Sequence, residues 1–495
     1  MAFAVSTTAQ RYGNVTLGSS ITANKANSSW VSHSGEFAFG FQQIIPGGYL
    51  LGIWFNKIPE RTVVWSANRD NLVQEGSKVQ LYADGKFELT DPSGHRIWAT
   101  TMSHDRVAYG AMLDTGNFVL ANKNSVVLWQ SFDEPTDTLL PTQTLNKDGK
   151  LVSSFSKTNY SRGRFLFTLQ NDGNLVSYTR NFPLDDVIFA YWSTQTVGSG
   201  FKLIFNRVGY IFLVAENGTI LNYLSSNKAL TSEFYQRAIL DYDGVFRHYV
   251  YPKSSKSSGS RAMAWSTINF IPTNICLRIT QDTGSGACGF NSICSFGTDQ
   301  IPKCDCPFGY SIIDPNDRMS GCKPNFATQK CDGEARGMNH FRFTDMPNTD
   351  WPLSDYAYFR VVTEDWCRQN CLDDCFCAVA IYRDEMVIVG RGDILSPMRG
   401  LILKDLLGLN IRRLNFKELQ VVTDGFKEEL GRGSCSIVYK DILKNDNIET
   451  VVAVKKVEKM ATKGEQEFKV EVCSISKSTF KNLVQLLGYS DEGQN

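Results

Sequence analysis

The chain has 495 residues, of which 42% are hydrophobic and 21% charged, and its 51 lysines and arginines balance its 51 aspartates and glutamates. One hydrophobic core does not extend over this length, so we expect roughly three to five domains. The zero net charge excludes the basic excess that a nucleic-acid or anionic-surface partner requires. It says nothing against an uncharged ligand.

Residues 11 to about 260 contain an internal repeat in which an acid–glycine turn precedes alternating apolar residues. Such a turn predicts a β-hairpin, because glycine accepts a positive φ. The copies are Tyr82–Leu89, Leu113–Leu120, Gln170–Val176, Ala215–Leu221 and Asp241–Phe246. Repeats of this kind bury their apolar faces by packing on one another. We therefore expect a mainly β half whose core holds the tryptophans Trp54, Trp65, Trp98, Trp129 and Trp192.

One copy, Gln170–Tyr178, carries a distinctive polar set and reads Q-x-D-x-N-x-V-x-Y. On an extended strand alternate side chains share one face. The residues at alternate positions are Gln170, Asp172, Asn174, Val176 and Tyr178. Two amides and a carboxylate match the hydroxyls of a sugar ring, while the valine and tyrosine add apolar contact. The pattern predicts a carbohydrate site; a half-buried strand with a polar outer face is the alternative.

The other copies lack this set. In the first, Lys86 and Glu88 replace the asparagine and the valine. In the second, Asp114 and Asn117 stand one residue too far apart to share a face. A single site predicts weak binding of a monosaccharide, so useful affinity requires avidity or a protein contact.

Cysteine usage is zoned: none precedes Cys276, eleven lie between Cys276 and Cys377, and two follow. This clustering predicts disulfides and an oxidising compartment. Six of the cysteines are Cys276, Cys288, Cys294, Cys304, Cys306 and Cys322, which allow fifteen pairings. A zinc site is the weaker alternative, because no histidine is near. Four glycosylation sequons, at Asn14, Asn27, Asn159 and Asn217, also favour export of this half.

A second cysteine group predicts a helix bridged to its surroundings. Cys367, Cys371 and Cys375 are spaced i, i+4 and i+8, which places them on one helical face, and Cys377 follows. Eleven cysteines cannot all pair within one chain. We expect one to be free or to form an intermolecular bond.

The sequence contains no clear targeting or membrane segment. Met1–Val5 is apolar but is followed at once by the polar Ser6–Gln10, short of the roughly 7–15 apolar residues of a signal peptide. The nearest approach to a membrane helix, Gly400–Leu409, contains Lys404 and Asp405, and no stretch reaches about 18 apolar residues. This predicts a soluble or secreted product.

The C-terminal segment resembles the start of a protein kinase. Gly431–Val438 is similar to the glycine-rich loop that covers ATP phosphates, and Val452–Lys455 matches the strand that carries the phosphate-binding lysine. The resemblance implies an ATP-site remnant of Gly431, Gly433, Val438, Lys455 and Glu471, the last of which would orient the lysine. No HRD or DFG sequence follows Lys455. We therefore expect no catalytic residues here, and a need for ATP and Mg²⁺ only in a complete kinase.

Three further segments, Phe37–Phe41, Val63–Arg69 and Trp129–Pro141, are similar to signatures of plant G-type lectin S-receptor-like serine/threonine kinases, and Gln170–Tyr178 resembles the mannose-binding motif of monocot bulb-type lectins. The resemblance implies a multidomain, mainly β fold: tandem bulb-lectin β-prism domains, disulfide-rich EGF-like and partial PAN modules, and an α+β N-lobe fragment. The implied boundaries are 11–130 and 131–260 for the lectin domains, 276–322 for the EGF-like module, 331–385 for the PAN module, and 410–495 for the juxtamembrane and kinase segment.

The resemblance also implies the bridges Cys276–Cys294, Cys288–Cys304 and Cys306–Cys322. It implies mannose-type glycans or glycoproteins as partners, together with intact kinases of the same family, and a plasma-membrane location with the lectin side outside. The leading interpretation is carbohydrate recognition, which requires no cofactor, with ATP-site remnants. Two alternatives remain: an active membrane receptor kinase represented by an incomplete gene model, and a protein-interaction decoy without sugar binding.

Overall fold

The computed structural model describes residues 14–24, 28–101, 106–181, 186–254, 263–279, 287–325, 343–349, 359, 362–373, 377, 379–382, 399–402, 412–413, 426–432, 436–445, 448–457 and 488–489. Four predicted site residues lie outside these ranges: Asn27, Cys375, Gly433 and Glu471. The chain divides into two compact units, one of Met1–Ala327, Met346–Val362 and Arg383–Gly400, the other of Thr328–Asp345, Thr363–Tyr382 and Leu401–Asn495.

The first domain is a β-prism of three four-stranded antiparallel sheets. Its strands are β1 (Val15–Thr16), β2 (Ser20–Thr22), β3 (Ser29–Val31), β4 (Phe37–Ile45), β5 (Gly48–Phe55), β6 (Val63–Ser66), β7 (Lys78–Leu81), β8 (Phe87–Thr90), β9 (Arg96–Ala99), β10 (Tyr109–Met112), β11 (Phe118–Ala121) and β12 (Val127–Gln130). The sheet orders are β1-β10-β11-β12, β2-β7-β8-β9 and β3-β4-β5-β6. Alternating side chains of all three sheets meet in one apolar core.

Aromatic residues from each sheet fill the centre of this prism. Trp65, Trp98 and Trp129 are the three corners of a triangle whose ring centroids lie 5.8–6.1 Å apart, in edge-to-face contact. Trp54 is only 1% exposed. The prediction that the tryptophans pack in cores agrees with these positions, and Trp192 likewise packs against the core of the second prism.

The second domain repeats the prism with three more four-stranded antiparallel sheets. Its strands are β13 (Thr138–Leu139), β14 (Thr144–Asn146), β15 (Lys150–Ser154), β16 (Arg162–Leu169), β17 (Leu175–Asn181), β18 (Asp186–Ser193), β19 (Lys202–Phe205), β20 (Ile211–Val214), β21 (Ile220–Ser225), β22 (Phe234–Leu240), β23 (Phe246–Pro252) and β24 (Ser266–Ile271). The sheet orders are β13-β22-β23-β24, β14-β19-β20-β21 and β15-β16-β17-β18. The last strand lies beyond residue 260, so this prism extends further than the boundary drawn from sequence. The predicted tandem β-prism architecture is confirmed.

A buried arginine ties the two prisms together. Arg69, 9% exposed, donates from Nε to the carbonyl of Tyr160 (2.7 Å), from Nη1 to that of Val152 (2.9 Å) and from Nη2 to that of Ser153 (2.9 Å). Its guanidinium also lies 3.7 Å from the Asp137 carboxylate. Burial lowers the pKa of Arg69, and Asp137 opposes that shift. The signature segments Val63–Arg69 and Trp129–Pro141 thus meet at the joint between the prisms.

A histidine is buried in the second prism. His248 is 1% exposed; its Nδ1 lies 2.9 Å from the Ser225 hydroxyl and its Nε2 lies 3.2 Å from the Gln236 amide oxygen. Because the amide of Gln236 donates to the Ala229 carbonyl, its oxygen faces the ring and the neutral imidazole satisfies both neighbours. Burial lowers the pKa of His248 from 6.5 to about 3.

This shift predicts a pH-dependent stability. Between pH 6.5 and about 3 the unfolded chain binds a proton on His248 that the folded chain does not, so falling pH favours unfolding. We expect the free energy of unfolding to decline below pH 6.5 by up to about 1.4 kcal/mol per pH unit through this residue. Urea unfolding at pH 7, 5.5 and 4.5 should show a flatter decline in His248→Gln. The exposed His95 provides the control His95→Gln; equal slopes in all three proteins would contradict the assignment.

A small disulfide-rich module follows, with strands β25 (Ile293–Phe296), β26 (Pro302–Asp305), β27 (Tyr310–Asp314) and β28 (Asp317–Pro324). It is bridged by Cys276–Cys294, Cys288–Cys304 and Cys306–Cys322, with Cα–Cα distances of 5.4, 5.3 and 5.7 Å. These are the same three pairs that the EGF-like resemblance implies. Ile275, Cys288 and Met319 join the apolar core of the second prism, so this module packs directly on it.

The remaining described elements are β29 (Thr344–Pro347), α1 (Glu364–Asp373), β30 (Val379–Tyr382), β31 (Arg399–Ile402), β32 (Arg412–Arg413), β33 (Glu429–Arg432), β34 (Ser436–Asn445), β35 (Ile448–Val457) and β36 (Gly488–Tyr489). The Thr363 hydroxyl accepts the Trp366 N–H (3.2 Å) at the start of α1, where Glu364 also favours the positive helix end. No helix within the described ranges has the length and hydropathy needed to cross a membrane.

The helix cysteines differ in part from the prediction. Cys371 is bridged to Cys377, which follows the helix, with a Cα–Cα distance of 5.2 Å. Cys367, predicted to form a disulfide, instead carries a free thiol. The prediction was therefore wrong for Cys367. The physical reason is that Cys371, one helical turn further on, pairs with Cys377, and every other described cysteine is bridged, so none of them is left for Cys367. The expectation that one cysteine would be free agrees with this.

Candidate functional site

The polar set at Gln170–Tyr178 lies at a hairpin between β16 and β17. Leu169 ends the first strand and Leu175 begins the second. Within the turn the Gln170 N–H donates to the Asn174 carbonyl (2.9 Å) and the Gly173 N–H donates to the Gln170 carbonyl (2.9 Å). Gly173 has a φ of +84°, which the glycine accommodates. The expectation of one extended strand was therefore wrong for Gln170–Asn174, because the Asp-Gly pair turns the chain there.

The turn nevertheless brings the two ends of the motif together. Along β16 and β17 the odd-numbered residues face the core. Val176 and Tyr178 therefore belong to the outward face, where they pair across the strands with Thr168 and Leu166. The Gln170 Nε2 donates to the Tyr178 hydroxyl at 2.9 Å. Val176 is only 2% exposed although it faces outward. The predicted outward face of amide, valine and tyrosine is therefore assembled by the hairpin.

Asp172 and Asn174 each use one oxygen to support the turn. The Asp172 Oδ1 accepts the Asn174 N–H at 2.8 Å, and the Asn174 Oδ1 accepts the Thr196 N–H at 3.2 Å. Asp172 is exposed and Asn174 is half-buried. Among the described residues, no protein partner is found for the second oxygen of Asp172 or for the Nδ2 of Asn174. An acceptor and a donor therefore remain for a ligand.

The loop after β18 supports these side chains. The Thr194 Oγ1 accepts the Leu175 N–H (3.2 Å), the Thr196 hydroxyl donates to the Gly173 carbonyl (2.8 Å), and the Gly198 N–H donates to the Asp172 carbonyl (2.6 Å). A Cβ at Gly200 would lie 1.9 Å from the Gly173 carbonyl oxygen. Sequence reasoning missed this loop. The signal in the sequence is weak: two threonines and two glycines shortly after a strand.

The same turn recurs in other sheets of both prisms, each time with the same pair of backbone hydrogen bonds: Tyr82–Lys86, Leu113–Asn117, Asn206–Tyr210 and Asp241–Val245. In one copy the Asn117 Oδ1 accepts the Phe132 N–H and the Ser131 hydroxyl, both at 3.2 Å. Asn117 thus supports the loop that follows β12, as Asn174 supports the loop that follows β18. The Asn174 Oδ1 is therefore a structural group, and its Nδ2 is the atom that remains for recognition.

The kinase-like residues occupy a separate three-stranded sheet in the order β33-β34-β35. Gly431 lies in β33 opposite Val438 in β34, and Val438 lies opposite Lys455 in β35. This register brings the valine that follows the glycine-rich loop beside the lysine. Within the described residues no group of acidic, histidine or cysteine side chains has the geometry of a metal site. Of the residues that the resemblance assigns to an ATP site, the structure describes Gly431, Val438 and Lys455; in a complete kinase, ATP with Mg²⁺ would supply the phosphoryl group there.

Three predicted glycosylation sites, Asn14, Asn159 and Asn217, are exposed. The Asn159 Oδ1 accepts both the N–H (3.1 Å) and the hydroxyl (2.8 Å) of Ser161, and the Asn217 Oδ1 accepts the Thr219 N–H (3.0 Å). In both cases the side-chain oxygen is held by the turn, while the nitrogen that a glycan would modify is directed away from these bonds.

Comparison with known proteins places this fold in a family. Residues 62–155 match the family model for D-mannose binding lectin, and residues 425–495 match that for protein tyrosine and serine/threonine kinase. The chain is 36% identical to the G-type lectin S-receptor-like serine/threonine-protein kinase LECRK2 of Oryza sativa subsp. indica, over 98% of this chain and 70% of the relative. The chain belongs to the G-type lectin S-receptor-like serine/threonine-protein kinases.

A second relative in this family, RLK1 of Arabidopsis thaliana, is 32% identical over 98% of this chain and 69% of its own length. The alignment with the rice protein spans 573 residues, more than the chain contains, so the rice receptor kinase carries additional segments within the aligned region. Among solved structures, Colocasia esculenta agglutinin with mannose bound shares 26% identity over 24% of this chain and 89% of its own, with a TM-score of 0.17.

The D-mannose binding lectin match covers the turns Tyr82–Lys86 and Leu113–Asn117 and ends before Gln170. The intact polar set lies between β16 and β17 of the second prism, beyond the matched residues. Because the turns share their backbone hydrogen bonds, the candidate site occupies an equivalent position in the second lectin domain of this receptor-kinase relative.

Proposed function

We propose that this receptor-kinase relative recognises mannose-type glycans through one site, formed by Gln170, Asp172, Asn174, Val176 and Tyr178. The observation that carries the proposal is the hydrogen bond between Gln170 and Tyr178 across the turn, since it assembles the outward polar face. The match of residues 62–155 to the family model for D-mannose binding lectin supports the ligand class. No cofactor takes part in this recognition.

The site offers groups of both hydrogen-bonding kinds. The free Asp172 oxygen and the Gln170 Oε1 accept sugar hydroxyls, the Asn174 Nδ2 donates, and the Tyr178 hydroxyl donates while it accepts from Gln170. Each such bond contributes about 0.5–1.5 kcal/mol net, so a monosaccharide would bind with a dissociation constant on the order of 1 mM. Clustered glycans on a glycoprotein would raise this affinity through avidity.

Replacing Asp172 and Asn174 together with alanine is expected to weaken binding to mannan at least tenfold, because two hydrogen-bonding groups are lost. Binding of the full chain to immobilised mannan measures this effect. The matched control is Asp84→Ala with Lys86→Ala, which changes the same turn positions in the first prism. Unchanged mannan binding in the Asp172 and Asn174 variant would overturn the site assignment.

Because Asn174 also supports the loop after β18, a milder variant separates recognition from folding. Tyr178→Phe keeps the ring and removes only the hydroxyl. It should lower mannan affinity several-fold while leaving the thermal midpoint nearly unchanged. A lower thermal midpoint with unchanged mannan affinity would show that the Tyr178 hydroxyl contributes to stability and not to recognition.

The proposal extends to the remaining segments. The disulfides and the exposed sequons support the export of the lectin half. Intact kinases of the family are proposed as further partners. The register of Val438 and Lys455 supports retention of part of an ATP site. Since these 495 residues contain neither HRD nor DFG, this polypeptide by itself is proposed to transfer no phosphoryl group.

A further inference from the structure

The turn Asp241–Val245, between β22 and β23, repeats the backbone hydrogen bonds of the candidate sugar turn. Its Asp241 N–H donates to the Val245 carbonyl (3.0 Å), and its Val245 N–H donates to the Asp243 Oδ1 (3.1 Å). The Tyr249 hydroxyl donates to the Asp241 Oδ2 at 2.9 Å, as Gln170 meets Tyr178 in the other sheet. Position by position, Asp241, Asp243, Val245, Arg247 and Tyr249 stand where Gln170, Asp172, Asn174, Val176 and Tyr178 stand.

Arg247 takes the place of the motif valine, and its guanidinium donates to the carboxylates of Asp241 and Asp243. Nη1 donates to the Asp241 Oδ2 and the Asp243 Oδ1, both at 2.8 Å, and Nη2 donates to the Asp243 Oδ2 at 2.9 Å. The side chains of Arg247 and Asp243 are each 2% exposed. The carboxylates at the two ligand-facing positions are therefore satisfied by a cation from the same sheet.

The remaining contact of this guanidinium reaches the EGF-like module. Nη2 donates to the carbonyl of Gln300 at 2.5 Å, in the turn between β25 and β26. Gln300 has a φ of +62°, a left-handed conformation that is unfavourable for a residue with a side chain. In the same turn the Gln300 N–H donates to the Gly297 carbonyl (3.1 Å). A strained residue thus presents its carbonyl to a buried cation.

We propose that this closed sugar-type position is the docking site for the EGF-like turn of residues 297–301, where the Arg247 guanidinium occupies the carboxylates of Asp241 and Asp243 and also holds the turn. The docking role rests on the contacts of Arg247 and stands whether or not the turn at Gln170 binds sugar. It gives the two equivalent positions of the second prism different tasks: one faces outward to a ligand, and the other holds the module that follows in the chain.

Amide hydrogen exchange on the full chain tests this docking. Asp243→Asn with Arg247→Met removes the two most buried charges together, because removal of one alone would leave the other unpaired. Asp241, whose side chain is 16% exposed, keeps its hydrogen bond from the Tyr249 hydroxyl. We expect at least tenfold faster exchange in residues 297–303, since a charge-assisted hydrogen bond to the turn is lost, with unchanged exchange in β16 and β17. Unchanged exchange in residues 297–303 would overturn the proposal.

Arg237→Met is the matched control. This arginine belongs to the same sheet, and its guanidinium lies 5.1 Å from the Tyr249 ring and 4.8 Å from the Trp265 ring, without a contact to the EGF-like turn among the described residues. It should leave exchange in residues 297–303 unaltered; equal acceleration would overturn the specific role of Arg247.

A second variant covers the case in which the double replacement does not fold. Arg247→Lys keeps a cation for Asp243, but one ammonium cannot reproduce the planar guanidinium that also reaches Gln300. Exchange in the turn should rise several-fold while exchange in β16 and β17 stays unchanged. Wild-type exchange in a folded Arg247→Lys protein would count against the docking role.

Discussion

Replacing Arg69 with methionine is expected to destabilise the lectin half by about 3–5 kcal/mol, because a buried charged partner is removed from a satisfied network. The carbonyls of Tyr160, Val152 and Ser153 would each lose a donor from a site that water does not reach freely. Asp137 would also lose its nearby cation. Urea unfolding of the full chain, followed by tryptophan fluorescence, measures this loss.

A second arginine provides the control for this prediction. Arg162 also crosses the joint between the prisms, with its Nε 2.7 Å from the Asp70 Oδ2, but the two side chains are 50% and 35% exposed. Exposed ion pairs contribute about 0–1 kcal/mol, so Arg162→Met should have a small effect. Equal effects of the Arg69 and Arg162 variants would show that the buried network does not hold the prisms together.

Replacing Gly200 with alanine is expected to displace the loop that supports the candidate sugar site. The new Cβ would lie 1.9 Å from the Gly173 carbonyl oxygen. That oxygen belongs to the backbone and the position of the Cβ is fixed by the backbone, so neither can yield by a rotamer change. Displacement would break the hydrogen bond from Thr196 to Asn174 and cost about 1–3 kcal/mol of stability. Mannan affinity should fall at least tenfold in the same variant.

The neighbouring glycine separates backbone strain from this steric contact. Gly198 has a φ of +80°, but no atom lies within 4 Å of a Cβ built on it. Gly198→Ala should therefore cost about 1–2 kcal/mol through strain alone and leave mannan affinity close to that of the wild type. If both variants lose affinity equally, close packing of the loop on the turn is not what positions Asn174.

Much of the fold follows from short-range patterns. The Asp-Gly turns and the alternating residues beside them predict hairpins, and hairpins in repeated copies predict a prism. The structure contains two such prisms, one after the other in the chain. The cysteine zone likewise predicts a bridged module, since closely spaced cysteines in a loop-rich segment have few other roles.

The candidate site was predicted only in part. The residue set Gln170–Tyr178 was found because its members lie close together in the chain. Its geometry was described wrongly, as a straight strand, because the turn-forming tendency of Asp172 and Gly173 competes with alternation and prevails. The loop from Thr194 to Gly200 escaped notice, since its contacts with the turn link residues about 20 positions apart.

The sequence by itself determined the β-hairpin repeat, the composition of the polar set Gln170–Tyr178, the cysteine zone and the kinase-like motif, because each is a property of neighbouring residues. The tertiary structure decided that the turn at Gln170 keeps polar groups for a ligand, while the carboxylates of the turn at Asp241 are bonded by Arg247. Arg247 contacts Gln300 across 53 positions, and Arg69 contacts Tyr160 across 91. Such contacts form only when separate sheets and modules pack, and whether an arginine is buried and paired depends on that packing rather than on its neighbours in the chain.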